Sequence, residues 1–251
     1  MSRDVVGALD RLYEHLGEVR EETVEKLGVE KALHIIDFHA NNWIDLLYLI
    51  SSEYDRDTTN NSLLLFYYTT TFKDIYWMEL LFSYANYPIA FRNLRYVWEL
   101  NCQGYFIDKR YPNMRFKEKL DRVIEVEETT FGWNLVQSVL RGVGLNDVVV
   151  EKYRCLWKLL CKFSHPSVRV FDLIDVEDLS VLVTDSVDRG LAEAFLKAVD
   201  EVFDTIYLML FSAFPRIISR FKDYFRDKQW LLIEWNKYAP LSYRRILEVI
   251  D

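Results

Sequence analysis

Cysteine, proline and glycine are scarce in this chain, at 3, 5 and 8 of its 251 residues. Cys102, Cys155 and Cys161 are odd in number and form no Cys-x-x-Cys pair, which argues against a disulfide framework and against a zinc site of ordinary cysteine spacing. A reducing, cytoplasmic setting is expected. So few turn-forming residues disfavour a fold of many short strands and favour long helices. Long apolar runs are missing as well: the longest, Ile206 to Phe214, falls far short of the ~20 residues of a membrane span, and Met1 to Gly7 carry no apolar signal core. No P-loop, dinucleotide-binding glycine pattern, serine elbow or His-Glu-x-x-His motif occurs, so neither a cofactor nor a metal is implied. Positive charge is in deficit too. A net charge of −8 opposes sequence-blind adhesion to nucleic acid and leaves room only for a local basic groove.

What is present is apolar and aromatic, at 51% and 16% of residues, without repeat or low-complexity linker, and implies one all-α, long-helix domain over residues 1–251. A first helix runs from Ser2 to Leu27 and ends at Gly28. A second, from Val29 to Tyr54, places Glu30, His34, Asp37, Asn41 and Asp45 on one side. His34 and Asp37 have metal-ligand spacing, but no third ligand lies nearby in the sequence, so this side reads as a solvated face. His39 falls among Ile36 and Trp43 and reads as a buried, hydrogen-bonded core histidine. A third helix from Ser62 to Ala85 carries Phe66, Tyr67, Tyr68, Phe72, Tyr76, Trp77 and Phe82 almost all round its axis, which predicts a central element; a base-stacking platform for single strands is disfavoured here, because it needs interleaved cations and only Lys73 is present.

The fourth helix starts at Pro88 and reaches Arg110. On its polar side Glu99 lies one turn after Arg95 and two turns after Arg92, so one carboxylate is in register with two guanidinium groups. A fifth helix, Met114 to Arg141, is expected to bend near Phe131–Trp133. In the next, Val149, Tyr153, Leu156, Leu160 and Phe163 share one face, while Arg154, Lys158, Lys162 and His165 share the opposite one, with Pro166 ending the helix. Three cations beside an imidazole suit a phosphate chain and a proton transfer; they equally suit a solvated basic face. The runs Val168–Phe171 and Leu179–Val183 predict a small β-hairpin near 168–184, or an irregular flap over the basic face. Asp185 or Ser186 caps a long helix to Phe214, which Pro215 stops. The basic, amphipathic segment 215–251 is an appendage expected to pack its apolar side on the chain's own core, the alternative being that it lies on a membrane or a partner.

Two segments, Phe91-Arg-Asn-Leu-Arg-Tyr-Val-Trp-Glu99 and Leu159-Leu-Cys-Lys-Phe-Ser-His-Pro-Ser167, together resemble a group of intracellular, all-helical prokaryotic proteins. In that group an Arg-x-x-x-Glu helix is followed by a helix ending in a Ser-x-x-His-Pro-like segment. The group in turn resembles HEPN and Abi-type bundles, many of which are metal-independent ribonucleases of defence and toxin–antitoxin systems. The likeness covers mainly residues 60–170 and implies a HEPN-like core, action on RNA and a homodimer. In HEPN proteins four to six residues separate an arginine from the histidine. Here ten separate Arg154 from His165, and the position with six between is Lys158, so of the HEPN residues only His165 carries over. The resemblance also implies that Arg95, Glu99 and His165 meet in one pocket.

Three readings follow. In the first, a ribonuclease, Arg154, Lys158 and Lys162 hold the backbone, Arg92 or Arg95 stabilises charge on phosphorus, Glu99 completes the site, and His165 is general acid or base. The second is a non-catalytic module in which the arginine, glutamate and histidine network locks helices together and a surface made by dimerisation or by the basic C-terminal segment binds a protein partner, a reading that a large exposed apolar patch favours. The third is a helical bundle enclosing a small ligand among Tyr67, Tyr76 and Trp77.

Overall fold

The computed structural model describes residues 2–130, 132–164, 187–225 and 229–250. Every regular element among them is helical. Helix α1 (Ser2–Leu27) ends where Gly28 takes a φ of +84°, a left-handed conformation that glycine adopts without a Cβ clash. The predicted second helix is three pieces: α2 (Val29–Ala32), a π-helical segment (Ile35–Ala40) and α3 (Asn41–Glu53). Asp55 caps α4 (Arg56–Asn60), and Ser62 caps α5 (Leu63–Thr70) by accepting the Leu65 N–H at 3.1 Å.

The aromatic stretch expected to form one central helix breaks at Thr71 into α5 and α6 (Phe72–Ser83), and it is not buried all round. Phe66, Tyr76 and Trp77 are 43–56% exposed. The central element is α7 (Tyr87–Arg110), which packs against α5, α6, α8 (Phe116–Thr129), α9 (Trp133–Gly142), α10 (Asp147–Ser164) and α11 (Arg189–Ala213). Ala90, Phe91, Leu94, Val97, Trp98, Asn101, Cys102 and Ile107 are all sealed from solvent along it. Close approach of α5 requires Gly104, because a Cβ there would stand 2.8 Å from the Leu64 Cα. Gly132, at φ +64°, separates α8 from α9 where one bent helix was expected.

Asp188 rather than Asp185 or Ser186 caps α11, its Oδ1 accepting the Leu191 N–H at 2.9 Å. Beyond Pro215 come α12 (Arg216–Phe225), α13 (Gln229–Tyr238) and α14 (Pro240–Ile250). Their Ile217, Phe221, Trp235 and Ile246 are buried against α3 and α11, so the apolar side of this basic segment packs on the chain's own core. Among the described residues no helix is long and apolar enough to cross a membrane. The hairpin expected near 168–184 lies outside the described residues.

Candidate functional site

Helix α10 has the two faces its periodicity predicts. Tyr153, Leu156, Leu160 and Phe163 are buried, and Arg154, Lys158 and Lys162 are exposed. Arg154 leans on Glu151 at 3.3 Å, an exposed pair that contributes little. Facing this helix, Arg95 of α7 bonds Glu99 through Nε and Nη2, at 3.2 and 2.9 Å. The Arg95 guanidinium also lies 4.7 Å from the centroid of the Trp157 ring on α10. With the side chain only 11% exposed, Arg95 is held on two sides and ties α7 to α10. Arg92 is exposed and forms no ion pair among the described residues. Seven residues, about 10.5 Å of helix, separate it from Glu99, so one carboxylate does not span both guanidinium groups. Cys161 lies close enough to Arg95 and Glu99 to feel both charges, and burial raises its thiol pKa. His165 follows Ser164, the last residue of α10, in sequence and lies outside the described residues.

On the other flank of α7, a cleft of about 550 Å³ is lined by Asp74, Trp77, Leu81, Ile89, Arg92, Asn93 and Tyr96. Trp77 and Tyr96 are 56% and 52% exposed, so two aromatic faces and one unpaired guanidinium share an open surface. Tyr96 also lines a smaller recess with Glu99, Leu100 and Gln103. Of the three rings proposed to enclose a ligand, Tyr76 and Trp77 are exposed, and Trp77 belongs to this open cleft.

A second cluster is buried between the π-helical segment and α11. His39 is sealed from solvent; its Nε2 is 2.9 Å from Asp200 Oδ1 and its Nδ1 3.0 Å from the Tyr207 hydroxyl. His34 reaches the same carboxylate oxygen through Nε2, at 2.5 Å. The expectation of a buried, bonded His39 agrees with the structure. The expectation of a solvated His34 does not: it is 7% exposed, packed on Phe38 and Tyr238, while Asp37 faces solvent. The cause is the backbone. At about 100° per residue, α-helical positions five apart diverge by roughly 140°, whereas the i→i+5 bonding of a π-helix sets them nearly above one another. The two imidazoles accordingly meet edge to face, centroids 5.3 Å apart.

Burial lowers the His39 pKa to about 4, outweighing the attraction of Asp200. Burial pushes the Asp200 carboxyl upward, but the hydrogen bonds from His34 and His39 outweigh it and keep the group ionised. One turn along, Asp204 is also buried, which raises its pKa to about 6. Its oxygens accept the Leu241 and Ser242 N–H groups at 2.9 and 2.8 Å, capping α14 onto α11.

Sequence reasoning missed Asp200 because 161 residues separate it from His39. The only local signal is the five-residue spacing of His34 and His39. No family model, no curated protein and no solved structure matches this chain.

Proposed function

We propose that this chain is a HEPN-like RNA-acting protein that binds single-stranded RNA on α6 and α7 and cleaves it beside the end of α10. The observation that carries the reading is the cleft in which Trp77, Tyr96 and Arg92 stand together. Exposed rings give bases a stacking surface worth ~1–3 kcal/mol each, and a free guanidinium takes the phosphate. The cations Lys158 and Lys162 project from α10, the helix that Arg95 joins to α7. Arg95 and Glu99 position these helices, Arg92 contacts the backbone, and His165 serves as the acid–base group. In the cleavage step His165 takes the proton of a ribose 2′-hydroxyl as that oxygen attacks phosphorus. The bond from phosphorus to the 5′-oxygen breaks, that oxygen takes a proton from water, a 2′,3′-cyclic phosphate is left, and no metal is required.

Mixed RNA incubated with the purified chain, with and without chelator, tests this beside His165→Ala. Cleavage that survives chelation and is lost in the variant supports it. Cleavage unchanged in the variant overturns the mechanism. The exposed Tyr76, Trp77, Leu80 and Ile89 favour one second reading, a protein-binding module, which gains if the chain neither binds nor cuts RNA.

A further inference from the structure

We propose that His34, His39 and Asp200 form a binding site for one first-row divalent transition-metal ion of the zinc or ferrous class. This inference does not rest on the RNA reading and uses different elements of the fold. The ligating atoms, one nitrogen from each imidazole and one carboxylate oxygen, all lie within 4.8 Å of one another. Ligands at ~2.1 Å about a tetrahedral ion stand about 3.4 Å apart. The two imidazole–carboxylate separations, 2.5 and 2.9 Å, therefore open by about 1 Å or less to admit an ion.

The surroundings match a metal centre in three respects. First, both imidazoles aim the same atom, Nε2, at one oxygen, and the other nitrogen of His39 is held by the Tyr207 hydroxyl at 3.0 Å. An outer hydrogen bond of that kind fixes ring orientation at metal sites. The His34 ring is fenced by Phe38 and by Tyr238, whose centroid is 4.1 Å away. Second, the convergence sits at the π-helical segment, an irregularity frequent at functional sites, with His34 at its N-terminal boundary and His39 within it. Third, the cluster is closed on one side and open on the other: His39 is fully buried, but Asp200 keeps 23% of its side chain exposed.

The donor set selects the ion. Two imidazoles with one carboxylate suit Zn²⁺, Fe²⁺ and related ions; Mg²⁺ and Ca²⁺ prefer oxygen alone, and copper(I) prefers sulfur. None of the three cysteines belongs to the cluster.

The test titrates the full chain, stripped with chelator, with Zn²⁺ by calorimetry and with Co²⁺ by visible absorption; Mg²⁺ and Ca²⁺ are controls. The expected result is one Zn²⁺ per chain and a Co²⁺ d–d band, with no response to the controls. Tyr207→Phe should bind about 10–100-fold more weakly, as loss of an outer partner does, and Asp200→Asn and His34→Gln more weakly still. Far-UV circular dichroism confirms that each variant folds. Should they not fold, histidine-selective 15N spectra of the unaltered chain decide: Zn²⁺ must perturb the imidazoles of His34 and His39. Absence of stoichiometric binding, equal binding by folded variants, or perturbation of other histidines alone overturns the proposal and leaves the trio a structural strut.

Discussion

Gly104→Ala sets two known effects against each other. Alanine is favoured over glycine in a helix interior by about 1 kcal/mol, so if α7 stood alone the substitution would stabilise it. In the fold, the new Cβ would meet the Leu64 Cα at 2.8 Å, the Leu64 nitrogen at 2.9 Å and Tyr67 Cδ2 at 2.9 Å, where ordinary contact begins at 3.4 Å. Two of the three atoms are backbone, so α5 must retreat by about 0.6 Å to restore that contact. Retreat also strains the cap that joins the two helices. Asp108 of α7 accepts the Leu63 and Leu64 N–H groups, each at 3.0 Å, and the same shift stretches those bonds toward 3.6 Å. Overpacking costs ~1–3 kcal/mol and a weakened bond to a charged group ~1.5 kcal/mol, so against the ~1 kcal/mol propensity gain the net expectation is a loss of about 1.5–3.5 kcal/mol. For a chain of this size that lowers the melting temperature by roughly 3–14 °C. Thermal and urea unfolding of the variant beside the parent measure it. Equal or greater stability would refute the close α5–α7 packing.

Asp108→Ala and Lys119→Met should differ in cost although they break one 2.8 Å ion pair. Removing Asp108 leaves a lysine that is 3% exposed with only the Asn61 carbonyl, at 2.7 Å, and takes the acceptor from the Leu63 and Leu64 N–H groups, a loss of ~3–5 kcal/mol; removing Lys119 leaves Asp108 its Ser62, Leu63 and Leu64 donors and should cost less than about half as much. Equal costs in urea unfolding would contradict this. Burial raises the Glu79 pKa to about 7, against a hydrogen bond from Ser83, and its Oε2 has no partner among the described residues. The native state therefore keeps a proton that the unfolded chain loses near pH 4.5, and this group's contribution to stability falls as pH rises from about 4.5 to about 7. Glu79→Gln should accordingly stabilise the fold by about 1–3 kcal/mol at pH 8 and by little at pH 4. A gain equal at both pH values would refute the assignment.

Where helical periodicity is regular, the sequence already shows which side is buried. In α10 the 3.6-residue repeat separates Tyr153, Leu156, Leu160 and Phe163 from Arg154, Lys158 and Lys162, and the structure agrees. Helix α7 was legible as amphipathic but not as central. The pattern puts Asn101 on the apolar side, and it is buried, but burial extends also to Gln103, which the pattern puts on the polar side. The ring-rich stretch that became α5 and α6 misleads in the opposite sense, because aromatic density measures surface available for burial and not burial itself. For the Arg95–Glu99 pair, the four-residue spacing was readable, but the Trp157 ring beneath it comes from another helix. The histidine cluster was least legible. A π-helical shift turned His34 inward, and its carboxylate partner lies 166 residues away.

The RNA reading is tested most directly by binding of a short, fluorescently labelled single-stranded RNA to Trp77→Ala and to Lys158→Glu/Lys162→Glu, measured across a salt series. The account predicts binding by the parent chain. Trp77→Ala should weaken it by roughly 5–150-fold at every salt concentration, the equivalent of ~1–3 kcal/mol for one stacked base. The charge-reversal variant should flatten the salt dependence, because it removes two phosphate contacts and the ions they release. No binding by the parent chain, or binding that neither variant changes, would contradict the account.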